Sequence, residues 1–404
     1  MRELCPGGVE FRELEDLFAL KGGYTPSKAD ATAWSGGSVP WFRMEDIRAN
    51  GRVLSDSIQH ISEAAVKGGR MFAADSILVA TSATIGEHAL ITVPHLSNQR
   101  FTSLTLKPEF ADRFEIKFVF YYCFLLDEWC KSNTTTSSFS TVDMGGFRKF
   151  RFPVPPLEVQ REIVRVLDHF SQLEAELEAE LEARRVQYAY YRDSLLSFRG
   201  CPAQIRWIPM GEVASVRYGR DFPRAVQGKP NGRYPFFKVI DMSRPGNDPV
   251  LVEASNYVDD DDLQRLGIDL SPAGTILMPR VGAAVATNRK RLLGTSAAFD
   301  TSFLALLPGE MVDPRFLLYV LQGVDLVTLS NTGAALPSVR RTALEAVLVP
   351  VPSREEQERV VGILDGFDAL VNDLSIGLPA ELAARRRQYE YYRDRLLSFE
   401  EAMA

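Results

Sequence analysis

The chain has 404 residues, 46% of them apolar and 25% charged. That is enough for two to four domains and too ordinary a composition for a disordered chain. No run of 18 apolar residues is present and the first residues carry no apolar core of a signal peptide, so neither a membrane span nor secretion is expected and the cytoplasm is the expected compartment. Cys5, Cys123, Cys130 and Cys201 form no paired motif and the four histidines do not recur at metal-ligand spacing, which argues against a disulfide framework and a metal site. The net charge of −7, taken alone, argues against a nucleic-acid binder.

In chain order, residues 1–152 read as a mixed α+β domain. Short apolar runs at Ser76–Ala80 and Thr102–Leu106 predict strands, and Phe114–Cys130 predicts a helix. Gly22-Gly23 and Gly36-Gly37 read as turns. Residues 153–199 are helical: Pro153, Pro155 and Pro156 punctuate the entry, and Ile163, Val166, Phe170, Leu173 and Leu177 then follow an amphipathic period. Leu173, Leu177 and Leu181 head a four-residue Leu-Glu-Ala-Glu repeat of strong helix formers, so one helix of about 63 Å over 157–198 is expected. Residues 200–349 form a second α+β domain, with strands at Thr275–Met278 and Phe303–Leu307 and a helix at Pro314–Val327. Asp259–Asp262 reads as a solvated loop capping a helical turn. Residues 350–404 are helical again, with a break expected at Gly377-Leu378-Pro379.

The chain is one unit written twice. RVQYAYYRDSLLSF (Arg185–Phe198) returns as RRQYEYYRDRLLSF (Arg386–Phe399), and Gln160, Leu167, Asp168 and Phe170 match Gln357, Leu364, Asp365 and Phe367. A fainter echo links Pro40–Arg43 to Pro235–Lys238 and Asp46 to Asp241. The helical segments have stayed alike while the large domains have diverged. The acidity sits on the helices, −3 over 153–199 and −4 over 350–404, against −1 over 1–152 and +1 over 200–349. A neutral domain can still present one basic face.

Phosphate loops, dinucleotide fingerprints, nucleophile elbows, zinc-protease helices and the adenine-pocket tetrapeptide of amino-methyltransferases are all missing, so no catalytic residue is assigned. Residue types that read base edges or hold phosphates do cluster. In the second domain these are Lys238, Arg280, Asn288, Arg289, Lys290, Arg291, Arg340 and Arg341; in the first, Arg43, Thr81, Ser82, Arg100 and Thr136. The commoner meaning of a short basic run is a solvated face. The Tyr-x-Tyr-Tyr-Arg-Asp motif reads first as helix packing, with Tyr188, Tyr191 and Leu195 on an inward stripe. Tyr190, and its repeat Tyr391, point elsewhere, as a partner surface would.

Two divergent domains, each followed by a near-identical helical segment, resemble the specificity subunit of type I restriction–modification enzymes. The proline-plus-glutamine entries PVPPLEVQ (Pro153–Gln160) and SREEQ (Ser353–Gln357), the helix bodies and the Leu-Glu-Ala-Glu tandem are similar to this family, the last to its type IC-like branch. The resemblance implies an α+β fold with two target-recognition domains, two long antiparallel helical regions and pseudo-two-fold internal symmetry. It implies that each domain reads one half of a bipartite asymmetric duplex DNA site. The helices would set the spacing and dock two modification (methyltransferase) subunits, with restriction subunits in the full complex. S-adenosylmethionine, ATP and Mg would sit on those partners, leaving this chain without a cofactor and non-catalytic. The rival readings are a fused or stand-alone methyltransferase or restriction enzyme, and a coiled-coil scaffold that never touches DNA.

Overall fold

The computed structural model describes Cys5 and residues 7–135, 140–198, 205–331, 336–372 and 376–402. They form two compact units, Met1–Leu177 with Leu382–Ala404, and Glu178–Glu381. Each unit therefore combines an α+β body with a helical piece from either copy of the repeat, a grouping that crosses the segment boundaries drawn from the sequence.

The body of the first unit contains β1 (Glu10–Glu13), β2 (Phe18–Gly22), β3 (Val39–Phe42), β4 (Val53–Leu54), β5 (His60–Ile61), β6 (Ser76–Ala80), β7 (His88–Ile91), β8 (Leu96–Ser97), β9 (Phe101–Leu106), β10 (Thr134–Thr135), β11 (Thr141–Val142) and β12 (Arg151–Val154). A five-stranded sheet runs β2-β9-β6-β7-β4, and a three-stranded sheet runs β5-β3-β8. All of Ser76–Ala80 is buried, which is why it reads as an unbroken apolar run rather than an alternating one. Ile77 and Val79 face a core with Phe118 and Leu126 of α1 (Ile116–Ser132), while Leu78 and Ala80 face Trp41 and Phe42 of the small sheet.

The second unit repeats this. Its strands are β13 (Arg206–Pro209), β14 (Ala214–Tyr218), β15 (Tyr234–Phe237), β16 (Val250–Leu251), β17 (Asn256–Val258), β18 (Ile276–Pro279), β19 (Arg291–Leu293), β20 (Ala298–Phe299), β21 (Phe303–Pro308) and β22 (Leu348–Val351). The large sheet runs β14-β21-β18-β19-β16 and the small one β17-β15-β20, the same orders strand for strand. The edge pairs β1-β12 and β13-β22 are likewise antiparallel in both. The faint echo between the two domains is thus a duplication of both sheets and of the edge pair.

The long helix α2 spans Leu157–Ser197 as expected. Ile163 and Leu167 enter the first unit's core; Leu181 and Tyr188 enter the second's. The helix expected over Pro314–Val327 is shorter, α3 (Pro314–Gln322): Asp313 caps its start, accepting from Arg315 N at 2.9 Å, and Gly323 ends it. The second helical region is broken as predicted, into α4 (Arg354–Asn372) and α5 (Leu378–Leu396). Asp259 does cap a helical turn, but Asp260–Asp262 are that helix's first turn rather than loop, and Lys229 bridges Asp259 and Asp262 at 2.6 and 3.0 Å. Among the described residues no helix is long and apolar enough to cross a membrane.

The repeated glutamines show why the helix entries stayed alike. The Gln160 carboxamide donates to Arg113 O and Pro155 O and accepts from Glu115 N at 2.9 Å. Gln357 donates to Met311 O and Pro352 O and accepts from Asp313 N at 2.7 Å. Both side chains are buried and use donors and acceptor together, so no other residue replaces them without leaving a backbone group unpaired.

Candidate nucleic-acid interface

One end of the large sheet gathers most of the residues singled out from the sequence. Thr81 and Arg280 each follow the central strand, β6 or β18. Their N–H groups donate to Arg100 O at 2.9 Å and Ser302 O at 2.7 Å, and their carbonyls accept from Val142 N and Val339 N. They occupy one position in two copies of the fold. Arg43 and Lys238 form another such pair: a buried aspartate accepts from each backbone N–H, Asp46 at 2.6 Å and Asp241 at 2.8 Å. Asp46 also accepts from Ile58 N and Asp241 from Ser255 N, so each aspartate pins the chain leaving β3 or β15 to the segment that leads into the neighbouring strand.

Between β8 and β9, and between β20 and β21, a short side-chain acceptor holds a tight turn. Asn98 accepts from Arg100 N at 3.0 Å and Asp300 from Ser302 N at 2.9 Å. The chain leaving β2 or β14 passes directly against this turn. A Cβ on Gly23 would sit 2.1 Å from Asn98 O, and one on Gly219 would sit 1.9 Å from Asp300 O, so both crossings require glycine.

The side chains set on this frame differ between units. Arg100 and Arg340 are exposed, and Arg341 is exposed with Nε 2.7 Å from Glu345. Arg43 is half-buried; its guanidinium lies 5.7 Å from the Trp41 ring and pairs with Glu45 at 2.7 Å. Arg280 lies 5.4 Å over Tyr218 with Nε bonded to Thr301 O at 2.8 Å, and Lys238 reaches Gln227 at 3.0 Å. Thr81 is buried and spends its hydroxyl on Thr102 at 3.0 Å, which turns it away from solvent; Ser82 beside it is half-buried. Thr136 lies outside the described residues.

The basic run Asn288–Arg291 is different and corrects its sequence reading. Lys290 is buried: its ammonium donates to Asn288 Oδ1 at 2.8 Å and Val324 O at 2.5 Å, and burial pushes its pKa down to about 8. Asn288 holds a left-handed turn and also accepts from Leu326 N. Arg291 is largely buried against Asp248 at 2.7 Å, and burial lowers its pKa. Only Arg289 remains partly outside, hydrogen-bonded to Ser243. Strand pairing sets Lys290 where the first unit has His88, itself buried and 2.7 Å from Asp127. In the second unit this position carries a core cation held by acceptors; in the first it carries an imidazole beside a carboxylate. The signal was periodicity: two residues on, Leu292 faces the core, so Lys290 does too.

Sequence reasoning missed Arg217, Tyr218 and Arg220, which line a cleft with Asp269, Ser271 and Arg341 in the second unit. In the first unit Thr25, Lys28, Trp34, Trp41, Arg43 and Gln59 line another. An isolated arginine in a short strand carries no pattern, so only the fold reveals these.

The helical motif divides in part as its spacing predicts. Tyr188 is buried and Tyr190 is 70% exposed, but Tyr191, expected on the inward stripe, stacks on Phe367 at 5.5 Å while staying 41% exposed. In the other unit Tyr392 stacks on Phe170 at 5.5 Å and Tyr391 is 55% exposed. Phe170 meets Tyr389 and Tyr392 while Glu174 meets Arg386, so α5 runs antiparallel to the first half of α2.

The family model described as "Type I restriction modification DNA specificity domain" matches the chain twice, over residues 6–183 and 207–384. The EcoprrI specificity subunit of Escherichia coli is 42% identical over 91% of this chain and 89% of its own length. The EcoR124I/EcoR124II specificity subunit, also from Escherichia coli, is 32% identical over 70% of this chain and 71% of its own. Among solved structures, a chain from a study of type I restriction–modification complex assembly matches with a TM-score of 0.69 at 16% identity, covering 97% of this chain and 98% of the other. The S subunit of M. genitalium matches at 0.50 and 16%, over 96% and 95%. With its fold written twice and both copies matched, this chain belongs to the DNA specificity subunits of type I restriction–modification systems.

Proposed function

We propose that each α+β body, residues 1–152 and 200–349, reads one half of a bipartite, asymmetric duplex DNA site. The helical regions 153–199 and 350–404 set the distance between the halves. They also dock two methyltransferase subunits through faces that include Tyr190 and Tyr391. Restriction subunits complete the assembly in the cytoplasm. S-adenosylmethionine, ATP and Mg belong to the partners, and this chain performs no chemical step itself.

The observation that carries this reading is one strand order written twice with different side chains at matching positions: Arg43 against Lys238, Thr81 against Arg280, Arg100 against Ser302. A repeated frame presents two surfaces to a duplex in the same way, and unlike side chains let the two half-sites differ. A scaffold that ignores DNA accounts for the helices but not for this pattern.

The test is to express the chain with its methyltransferase partner and map methylated adenines across the host genome. The expected result is one motif of two unlike halves separated by a fixed gap. A contiguous or palindromic motif overturns the reading. Native mass spectrometry should give two methyltransferase subunits per chain, and Tyr190→Ala with Tyr391→Ala should weaken that assembly at least tenfold while leaving the circular dichroism unchanged.

A further inference from the structure

The segment that crosses from the large sheet past the β8–β9 or β20–β21 turn carries free positive charge in both units. Lys21 on β2 pairs with Ser103, and Arg217 on β14 pairs with Ala305, which is the same register two residues before the obligatory glycine. After the glycine, Tyr24 N donates to Ser97 O and Arg220 N to Phe299 O, so the two segments stay in step. Lys28 and Arg224 then follow at the same distance from Gly23 and Gly219.

Lys21, Lys28, Arg217, Arg220 and Arg224 are all exposed, and among the described residues none has a side-chain hydrogen bond or ion pair. Elsewhere the surface cations are mostly neutralised: Lys131 by Glu128, Arg165 by Glu162, Arg233 by Asp260, Arg354 by Asp313. In the second unit Arg217 and Arg220 line a cleft with Arg341, whose acidic lining residue is Asp269. In the first, Lys28 lines a cleft with Arg43. Uncompensated like charges repel one another, and their retention at one place in two diverged copies fits an anionic ligand that both copies share. A base edge differs between half-sites; a phosphodiester does not.

We propose that residues 21–28 and 217–224 are the phosphate-gripping elements of the two units: Lys21 and Lys28, and Arg217, Arg220 and Arg224, contact the DNA backbone at corresponding places and read no base. The inference rests on the DNA-reading function proposed above. The glycine crossing serves it by holding the segment rigidly against the turn that carries Arg100 or Ser302. Backbone grip and base reading thereby keep a constant offset in both halves.

The experiment uses the full chain assembled with its methyltransferase partner. Binding is followed on a labelled duplex carrying the mapped site and on one with both halves scrambled, from 50 to 200 mM KCl. K21Q/K28Q and R217Q/R220Q are compared with the charge-retaining K21R/R217K. Two lost phosphate contacts lower the salt slope by about 1.8, so the affinity lost across that salt range should shrink about tenfold. The shrinkage should be alike on both duplexes, with the methylated motif unchanged, and K21R/R217K should keep the original slope. An unchanged slope, or a base altered in one half-site, overturns the proposal. Wild-type complex that fails to prefer the mapped site overturns the function reading instead.

Discussion

Tyr121 donates a 2.6 Å hydrogen bond to Asp168, tying helix α1 of the first α+β body to the long helix α2. Lys117 reaches the other oxygen of the same carboxylate at 2.6 Å. The second unit repeats the arrangement, with Tyr319 and Arg315 on Asp365 at 2.5 and 2.7 Å. Burial first, and then the bond to the aspartate, hold both phenols protonated.

Asp168→Asn keeps the shape and removes the charge that two donors share. The pair is partly exposed, so the expected cost is about 1 kcal/mol, seen as faster hydrogen exchange across residues 116–124. Glu162→Gln, which removes only a surface pair with Arg165, should leave exchange there unchanged.

Lys290→Ala removes a core cation, leaves Val324 O without its donor and leaves Asn288 Oδ1 with Leu326 N alone, so the second unit should lose about 2–4 kcal/mol. The salt dependence of DNA binding should not move at temperatures where the variant is folded. A slope reduced by about one would return Lys290 to the DNA face.

His95 lies between Phe42 and Phe72, both edge-on at 5.5 Å, with its Nδ1 2.8 Å from Val93 O, and burial pushes its pKa from 6.5 down to about 4. As pH falls, the unfolded chain takes up this proton before the folded one does. The first unit therefore holds its full stability above about pH 6.5 and loses up to about 3 kcal/mol of it on the way down to about pH 4. Urea titrations followed by tryptophan emission report mainly on this unit, since Trp34, Trp41 and Trp129 lie in it and Trp207 alone does not. His95→Gln should flatten that portion of the pH dependence.

In the Leu-Glu-Ala-Glu stretch, Leu173 and Leu177 are half-buried and Leu181 is buried, so the repeat lays one apolar stripe along a continuous helix. Inserting one further unit adds about 6 Å of axis and turns one end by about 40°. Against a rise of about 3.4 Å per base pair, the methylated motif should gain one base pair in its gap, at most two, with both half-sites unchanged. Methylome mapping of the insertion variant reads this directly, and an unaltered gap would show the repeat to have no metric role.

The helices and the duplication were legible because both are local: a 3.6-residue period, capping residues, and near-identical strings such as Arg185–Phe198 and Arg386–Phe399. Four strands were legible for the same reason, each a short apolar run buried on both faces. The sheet order was not, because two-residue strands such as Val53–Leu54 and Val250–Leu251 are defined by partners dozens of residues away. The basic surface was half legible. Arg340 is exposed and Arg280 half-buried at the end of the central strand, whereas Arg289–Arg291 looked solvent-facing because composition does not say which side of a strand a lysine takes.

The first unit is discontinuous, and this bears on how the molecule is made. Its last pieces, α5 from Leu382 onward and the segment in which Val9 exchanges hydrogen bonds with Glu400 and Ala402, follow the whole of Glu178–Glu381. Leu397 is buried in the same core as Phe118, and Phe399 meets the Phe118 ring at 6.0 Å. During synthesis the second unit has all its residues before the first can close. The nascent first body must wait with the apolar face around Phe118 and Phe152 incompletely covered, the kind of surface that chaperones bind. A chain released before Leu382 would carry the residues of the second unit and a first unit that never seals.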